Sequence, residues 1–428
     1  MSNIQKQDYK IKWGILQPLT GGMYFGTKAA TGCDAQWILS YDGLNSPIKD
    51  KEGNVVDGGN EYHLTTYLKK HNCMPPYYIF KDRKMFQCDT NTNPEIVTEE
   101  GEIVTPDYTN MDLVVAVPVC SGLSTATIAG DTVKNERNCN MLFLATYTLN
   151  VICPKVYIFE NAPTLMSARG EHVRKQLEEL AEKTGYSIAY YKTDTRLHHN
   201  CQKRPRTFVY FFKGSNVPEL KFENAQMSVI DFLSQIPTDA TQKETLTDSI
   251  WAQVPLKYAK HVFGENWRDK IEGDLFEFVW KEKNEEQKFR EWLHSECTEE
   301  EIKGYEKYLK HINEKRAEGK GWWVSTSRYY HDFVPACMHK NVFSIIHATE
   351  DRLYNMREWL TLMGMPYDFE MQGKQDLFFP KIGQNVPAGT AKFIVEQAVK
   401  FINGELETFE ISNKNWLFYD NTKCKIIG

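Results

Sequence analysis

From residue 9 to about residue 213, short β-branched and aromatic runs alternate with stretches whose apolar residues recur at helical spacing. YKIKWGILQPL, AQWILSY, MDLVVAVPV, PKVYIFEN, YSIAYYKT and RTFVYFFKG read as strands, and residues 142–151 and 167–184 read as helices. Strands alternating with helices predict an α/β fold whose largely parallel sheet is covered on both faces. The alternation stops after Gly214. Residues 215–340 are richer in charge and tryptophan and contain a predicted helix over 298–316, so they read as a second, smaller domain. Beyond residue 341, helical patterns return at 350–362 and 388–403, the latter apolar enough to pack back on the first domain. The boundaries are therefore set at 1–213, 214–340 and 341–428. The stretch 43–60 reads as a polar, Gly-rich surface loop.

Composition adds bounds rather than an activity. A chain of 428 residues, 41% hydrophobic and 25% charged, can bury one large core and a smaller second one. No apolar run approaches the roughly 20 residues that span a bilayer, and MSNIQKQDYKIK has no apolar stretch of the secretory kind, so a cytoplasmic location is expected, and with it a monomer. The ten cysteines stand singly, with no CxxC pair, which favours free thiols in a reducing compartment. His198, His199, Cys201, Cys337 and His339 lack zinc-ligand spacing, so no metal is expected. The net charge of -6 excludes a simple basic DNA binder and confines any nucleic-acid surface to local patches, such as Lys203-Arg204-Pro205-Arg206. Mixed runs such as KEKNEEQKFREW read as solvated helix faces.

Open α/β sheets bind ligands beyond the carboxyl ends of their strands, which directs attention to the residues after each run. MDLVVAV leads into Pro118-Val119-Cys120-Ser121-Gly122-Leu123-Ser124, a turn that can expose a thiol, although a lone cysteine there is more often a small buried hydrophobe. PKVYIF leads into Glu160-Asn161-Ala162-Pro163. If the two strands are neighbours, thiol and carboxylate share one cleft. Cys201-Gln202-Lys203-Arg204-Pro205-Arg206 enters the strand TFVYFF with two arginines at alternate positions, which point to one side.

In that order, PVCSGLS, FENA and QKRPR resemble the motifs P-C-Q-G-F-S, E-N-V and Q-x-R-x-R of the DNA cytosine-5 methyltransferases. ERNCNMLF, RLYNMREWLTLMGMPYDF and IGQNVP are similar to three further family segments, so the resemblance spans residues 13–213 and 341–403. It implies a Rossmann-like S-adenosylmethionine-dependent methyltransferase sheet with a second, smaller target-recognition domain in the unmatched middle. It implies double-stranded DNA as partner and S-adenosylmethionine as cofactor. Cys120 matches the nucleophile that adds to carbon 6 of cytosine, Glu160 the acid at N3, and Arg204 the arginine at the base. Ser124, Arg137, Gln202 and Arg206 fall at expected DNA-binding positions. Gly21, Gly22, Asp42, Pro118, Gln384 and Asn385 fall at expected cofactor positions, Asp42 as the acid for ribose hydroxyls.

The departures concentrate on the cofactor side. Gln17-Pro18-Leu19-Thr20-Gly21-Gly22 stands where the family reads F-x-G-x-G-G, keeping only the last two glycines. Val119 replaces a proline, Ser121 a glutamine, and Gln384-Asn385 the usual Asn-[Ser/Ala]. The expected activity is methyl transfer to carbon 5 of a flipped cytosine. Open alternatives are transfer of a different one-carbon group by the same cysteine mechanism, a catalytically silent DNA-binding relative, and a tRNA cytosine-5 methyltransferase. Trp322-Trp323 reads as core in preference to a recognition loop.

Overall fold

The structure, a computed structural model, describes residues 10–81, 93–120, 122–123, 138–222, 224–244, 246, 250–276, 279, 283–318, 327–338, 341–411 and 416–423. Its centre is a nine-stranded sheet. In chain order the strands are β1 (Trp13–Leu16), β2 (Ile38–Tyr41), β3 (Tyr77–Phe80), β4 (Ile96–Thr98), β5 (Leu113–Ala116), β6 (Val156–Asn161), β7 (Tyr186–Asp194), β8 (Pro205–Lys213) and β9 (Leu417–Asp420). Across the sheet they lie in the order β9-β7-β8-β6-β5-β1-β2-β3-β4. The stretch from β6 to β3 is parallel, as the alternation predicts. However, β8 runs antiparallel to both β6 and β7, and β4 is antiparallel to β3, so the sheet is mixed.

The period-two alternation of side chains divides the strands between two cores. Val114, Ala116, Tyr157, Phe159, Val209 and Phe211 face one core, together with Phe143 and Leu144 of α2 (Cys139–Tyr147) and Val173 and Leu177 of α3 (Glu171–Thr184). Leu113, Val115, Val156, Ile158, Phe208, Tyr210 and Phe212 face the other, with Met23 and Tyr24 of α1 (Gly22–Thr31) and Ala391, Ile394 and Val395 of the helix Ala388–Ile402. Burying each large apolar side chain contributes roughly 1.5–3 kcal/mol, so alternate letters of one strand stabilise two separate layers.

Helix α1 has no apolar stripe at its contact with Ala388–Ile402; it approaches through missing side chains. A Cβ on Gly26 would lie 2.4 Å from the Ala388 carbonyl oxygen and 2.5 Å from the Ala391 Cβ. Apolar periodicity therefore does not reveal this helix. In the predicted helices, 142–151 is observed as α2 followed by a π-helical turn at Thr148–Ile152, and α3 starts at Glu171 after two short 3-10 turns. The 350–362 pattern is helical only over Met356–Leu362, where Asn355 and Glu358 form a reciprocal capping box that fixes the start. The 43–60 loop carries a small antiparallel pair, Ile48–Lys49 with Val55–Asp57.

Residues beyond β8 are mainly helical, with Ile250–Phe263, Lys283–Glu296 and Glu299–Ala317 as the long elements. Tyr258, Phe276, Phe289, Trp292, Leu293 and Tyr305 form a small aromatic core of their own. A larger cluster, including Trp267, Tyr329, Trp359, Met363 and Phe379, joins this region to the segment after residue 341. Among the described residues, no helix is long and apolar enough to cross a membrane. Seven described cysteines are free, but Cys139 is disulfide-bonded, which departs from the expectation of free thiols throughout.

Candidate active site

Three neighbouring strands bring the predicted chemistry together. β5 and β6 are parallel and in contact, pairing Ala116 with Phe159, so the residues that follow them emerge at the same edge. On β6, Glu160 lies on the same face as Val156 and Ile158. On the antiparallel β8, Phe208 pairs with Glu160, which makes Arg206 its diagonal neighbour on that face. The Arg206 Nε lies 2.6 Å from a Glu160 carboxylate oxygen, with Glu160 only 3% exposed.

Cys120 is half-buried above this pair. A turn fixes its loop: the Leu123 N–H donates to the Cys120 carbonyl at 3.0 Å, and the Val119 N–H donates to the Asn140 side-chain oxygen at 2.9 Å. The Thr164 hydroxyl, from the segment after β6, donates to the Leu123 carbonyl. Burial pushes the Cys120 thiol up and the Glu160 charge pushes it further, while Arg206 and Arg204 pull it down. Burial likewise raises Glu160, opposed by Arg206 and Arg204. Burial thus favours the neutral carboxyl and the neutral thiol, so the site can hold a proton on a carboxyl close to a thiol.

Arg204 is 1% exposed and has a different set of contacts. Its guanidinium donates to the carbonyls of Cys337 at 3.2 Å, Gly383 at 2.6 Å and Asn385 at 2.8 Å. Burial holds it down to about 9, with Arg206 adding to the shift. Arg204 thus ties Cys337 and the Gly383–Asn385 segment to this strand edge, and Arg206 is the arginine that touches the acid. Gln202 is fully buried, its amide facing the Met363 sulfur at 3.7 Å. Ser124 and Arg137, like Trp322 and Trp323, lie outside the described residues.

Beyond β1, the predicted cofactor loop is shaped by its backbone. Gln17 (φ 52°), Leu19 (φ 53°) and Gly21 (φ 110°) all have left-handed backbone. Leu19 therefore holds a glycine-type conformation at a position where the resembled motif has glycine, at a cost of about 1–2 kcal/mol. Gly21 and Gly22 are occupied by the protein itself: a Cβ on Gly21 would meet the Leu64 side chain at 2.6 Å, and one on Gly22 the Val386 carbonyl oxygen at 1.7 Å. Asn385 is buried and accepts the Gly22 N–H at 2.8 Å. Gln384 is exposed and accepts from the Asn60 amide at 3.1 Å. Pro118 is buried, and Asp42 is exposed just past β2. A left-handed turn followed by a helix start, with an exposed carboxylate after the next strand, fits a nucleoside cofactor.

Two groups were missed by sequence reasoning. Asn140 sits in the quoted ERNCNMLF segment, but only the fold shows that it holds the cysteine loop. Glu61 is completely buried and accepts hydrogen bonds from the Ser40 and Tyr77 hydroxyls, each at 2.7 Å; burial pushes it up to about 7. Nothing in the local letters around Asn60-Glu61 marks it. Among the described residues, no cluster of three His, Cys, Asp or Glu side chains is placed to hold a metal ion.

Comparison with known proteins places this arrangement in context. The family model described as C-5 cytosine-specific DNA methylase matches residues 79–400. The Type II methyltransferase M1.HphI of Haemophilus parahaemolyticus is 21% identical over 350 residues, covering 80% of this chain and 82% of the relative. Among solved structures, a DNA modification methyltransferase encoded within a prophage of E. coli is 15% identical with a TM-score of 0.52, covering 92% of this chain and 99% of the other. The Entamoeba histolytica methyltransferase EhMeth superposes with the same TM-score at 8% identity and the same coverage. These two likenesses are of fold.

Proposed function

The chain belongs to the C-5 cytosine-specific DNA methylase family, and we propose that it methylates carbon 5 of a cytosine flipped out of duplex DNA, through a covalent adduct on Cys120. The carrying observation is the convergence of Cys120, Glu160 and Arg206 at one strand edge, where the Glu160 charge raises the thiol and Arg206 lowers both the thiol and the carboxyl. In this reading the Cys120 thiolate forms a bond to carbon 6 of the base while protonated Glu160 gives its proton to N3. The ring's added electron density then sits at carbon 5. After alkylation, loss of the carbon 5 proton to water expels the thiolate, and N3 returns its proton to Glu160, which restores the aromatic ring and the acid. Arg206 holds the Glu160 carboxyl in place and offsets charge on both groups.

The backbone of the loop 17–21 would hold S-adenosylmethionine, with Asp42 at its ribose hydroxyls and Gln384 and Asn385 nearby. When bound, this cofactor supplies an electrophilic methyl group on a sulfonium. Base flipping needs a second wall for the cleft, and residues 214–340, with their separate aromatic core, are the proposed target-recognition domain.

The reading is tested by incubating the protein with duplex DNA and S-adenosylmethionine, digesting to nucleosides and weighing the products. 5-Methyldeoxycytidine is the expected product, and a denaturation-stable adduct should form on DNA containing 5-fluorocytosine. Leu19 at a glycine position favours a second reading, in which the donor carries a different one-carbon group. A new nucleoside of another mass would establish it. With cell extract supplied as a source of donor, the absence of both product and adduct would exclude the cysteine mechanism.

A further inference from the structure

A groove of about 380 Å³ opens beside the catalytic pair and has no part in the chemistry described above. It is lined by Pro163, Lys192, Asp194, Arg196, Lys203 and Asn421, among others. Pro163 lies three residues beyond Glu160 and Pro205, also in the lining, immediately precedes Arg206, so the groove meets the same strand edge. Its floor comes from the ends of β7, β8 and β9.

The cations here are disposed unevenly towards protein and solvent. Lys192 lies 3.7 Å from Asp420, and the Arg196 Nε is bound to Asp194 at 3.0 Å. The two terminal nitrogens of Arg196 have no acceptor among the described residues, which leaves a fork of donors for an external anion. Lys203 is exposed and has no carboxylate partner among the described residues. Both cations instead lie over the ring of Phe333, at 5.4 Å for Arg196 and 4.7 Å for Lys203, and Phe333 stacks on Tyr330 at 4.5 Å. An aromatic platform holding two cations, on a chain whose net charge is -6, is a local concentration of the chemistry that recognises a phosphodiester backbone.

We infer that this groove carries the DNA strand leaving the catalytic pocket, with Arg196 and Lys203 on successive phosphates and Phe333 keeping both cations in position. The inference rests on the DNA-methylating reading above, because it takes the substrate's own backbone as the occupant. It makes the groove a positioning surface, separate from the residues that touch the reacting base.

The test is fluorescence anisotropy with a labelled duplex titrated at several salt concentrations, comparing the full-length protein with K203Q and with the double variant R196Q/K203Q. Backbone contacts are independent of sequence, so an unknown target sequence does not prevent the measurement. K203Q changes an exposed side chain and serves as the variant whose folding is not at risk. The double variant should bind about tenfold more weakly at low salt, and its slope of log Kd against log salt should fall by about two, with K203Q falling by about one. If wild type binds duplex DNA and both variants match it in Kd and slope, the groove does not carry the strand. If wild type binds no duplex at all, the DNA-methylating reading fails first, and the groove assignment with it.

Discussion

At the ends of β5 and β6 the working groups are side chains, a thiol, a carboxyl and a guanidinium drawn from three strands. Beyond β1, the same edge of the sheet works through backbone, with left-handed residues at Gln17, Leu19 and Gly21 and helix-start contacts made where side chains are missing. The first region depends on particular atoms and cannot exchange them for others. The second depends on a path through φ/ψ space, which residues other than glycine can follow at the expense of some strain. A changed residue is therefore accommodated more readily in the loop after β1 than at the thiol and carboxyl, and Leu19 in a glycine conformation is an instance of that tolerance.

The largest effect should come from C120S, which should abolish both nucleoside product and 5-fluorocytosine adduct while leaving duplex affinity as it was. Undiminished turnover would remove the thiol from the mechanism. Next, E160Q should slow product formation by about 100-fold or more, the range for losing a general acid, with little change in DNA affinity. Equal loss of rate and binding would make Glu160 structural and erase the contrast between the two regions.

A titration sharpens the same half. The Cys120 thiol is already raised by burial and Glu160, and Arg206 lowers it; the thiolate fraction therefore grows with pH, and R206Q should move the rate profile to higher pH. A profile displaced to lower pH would mean that Arg206 acts in another way.

Buried Glu61 offers a stability test. Its folded-state value, about 7, lies above the ordinary carboxyl value of 4.5. Folding therefore favours the protonated form, and stability is lost as pH rises from about 4.5 through about 7, by about 3 kcal/mol in the limit of full ionisation. The melting temperature of E61Q relative to wild type should rise between about pH 5 and about pH 8. A constant difference would show that Glu61 keeps its charge throughout.

The smallest expected effect isolates the backbone half. L19A and L19G both lose the side chain, but only glycine accepts φ near +53° without strain. L19G should be more stable than L19A by about 1 kcal/mol in denaturant unfolding, and the reverse order would show that the left-handed turn carries no strain worth relieving.

The contrast explains what could be read in advance. Cys120 and Glu160 follow strongly apolar runs, so period-two alternation and the rule of strand ends put them at one edge provided that the two strands are neighbours, which β5 and β6 are. Arg206 was legible as a cation but its partner was not, because pairing with Glu160 depends on the antiparallel register of β8 against β6. The resemblance assigns Arg204 to the base, and nothing local announces that its guanidinium also lies on three carbonyls, two of them about 180 residues further along the chain. Helix α1 is not legible in the sequence because its close approach is made at Gly22 and Gly26, which carry no hydrophobic signal.

By itself, the sequence determined the α/β class, the positions of the central strands and the kinds of reactive group at their ends, since each follows from local spacing of apolar and polar residues. Only the tertiary structure decided that the sheet is mixed, that Arg206 rather than Arg204 meets the acid, that Glu61 is buried with a raised pKa, and that Leu19 adopts a glycine's backbone. Those outcomes depend on strand register, desolvation and contacts between distant segments, which no local window of the chain contains.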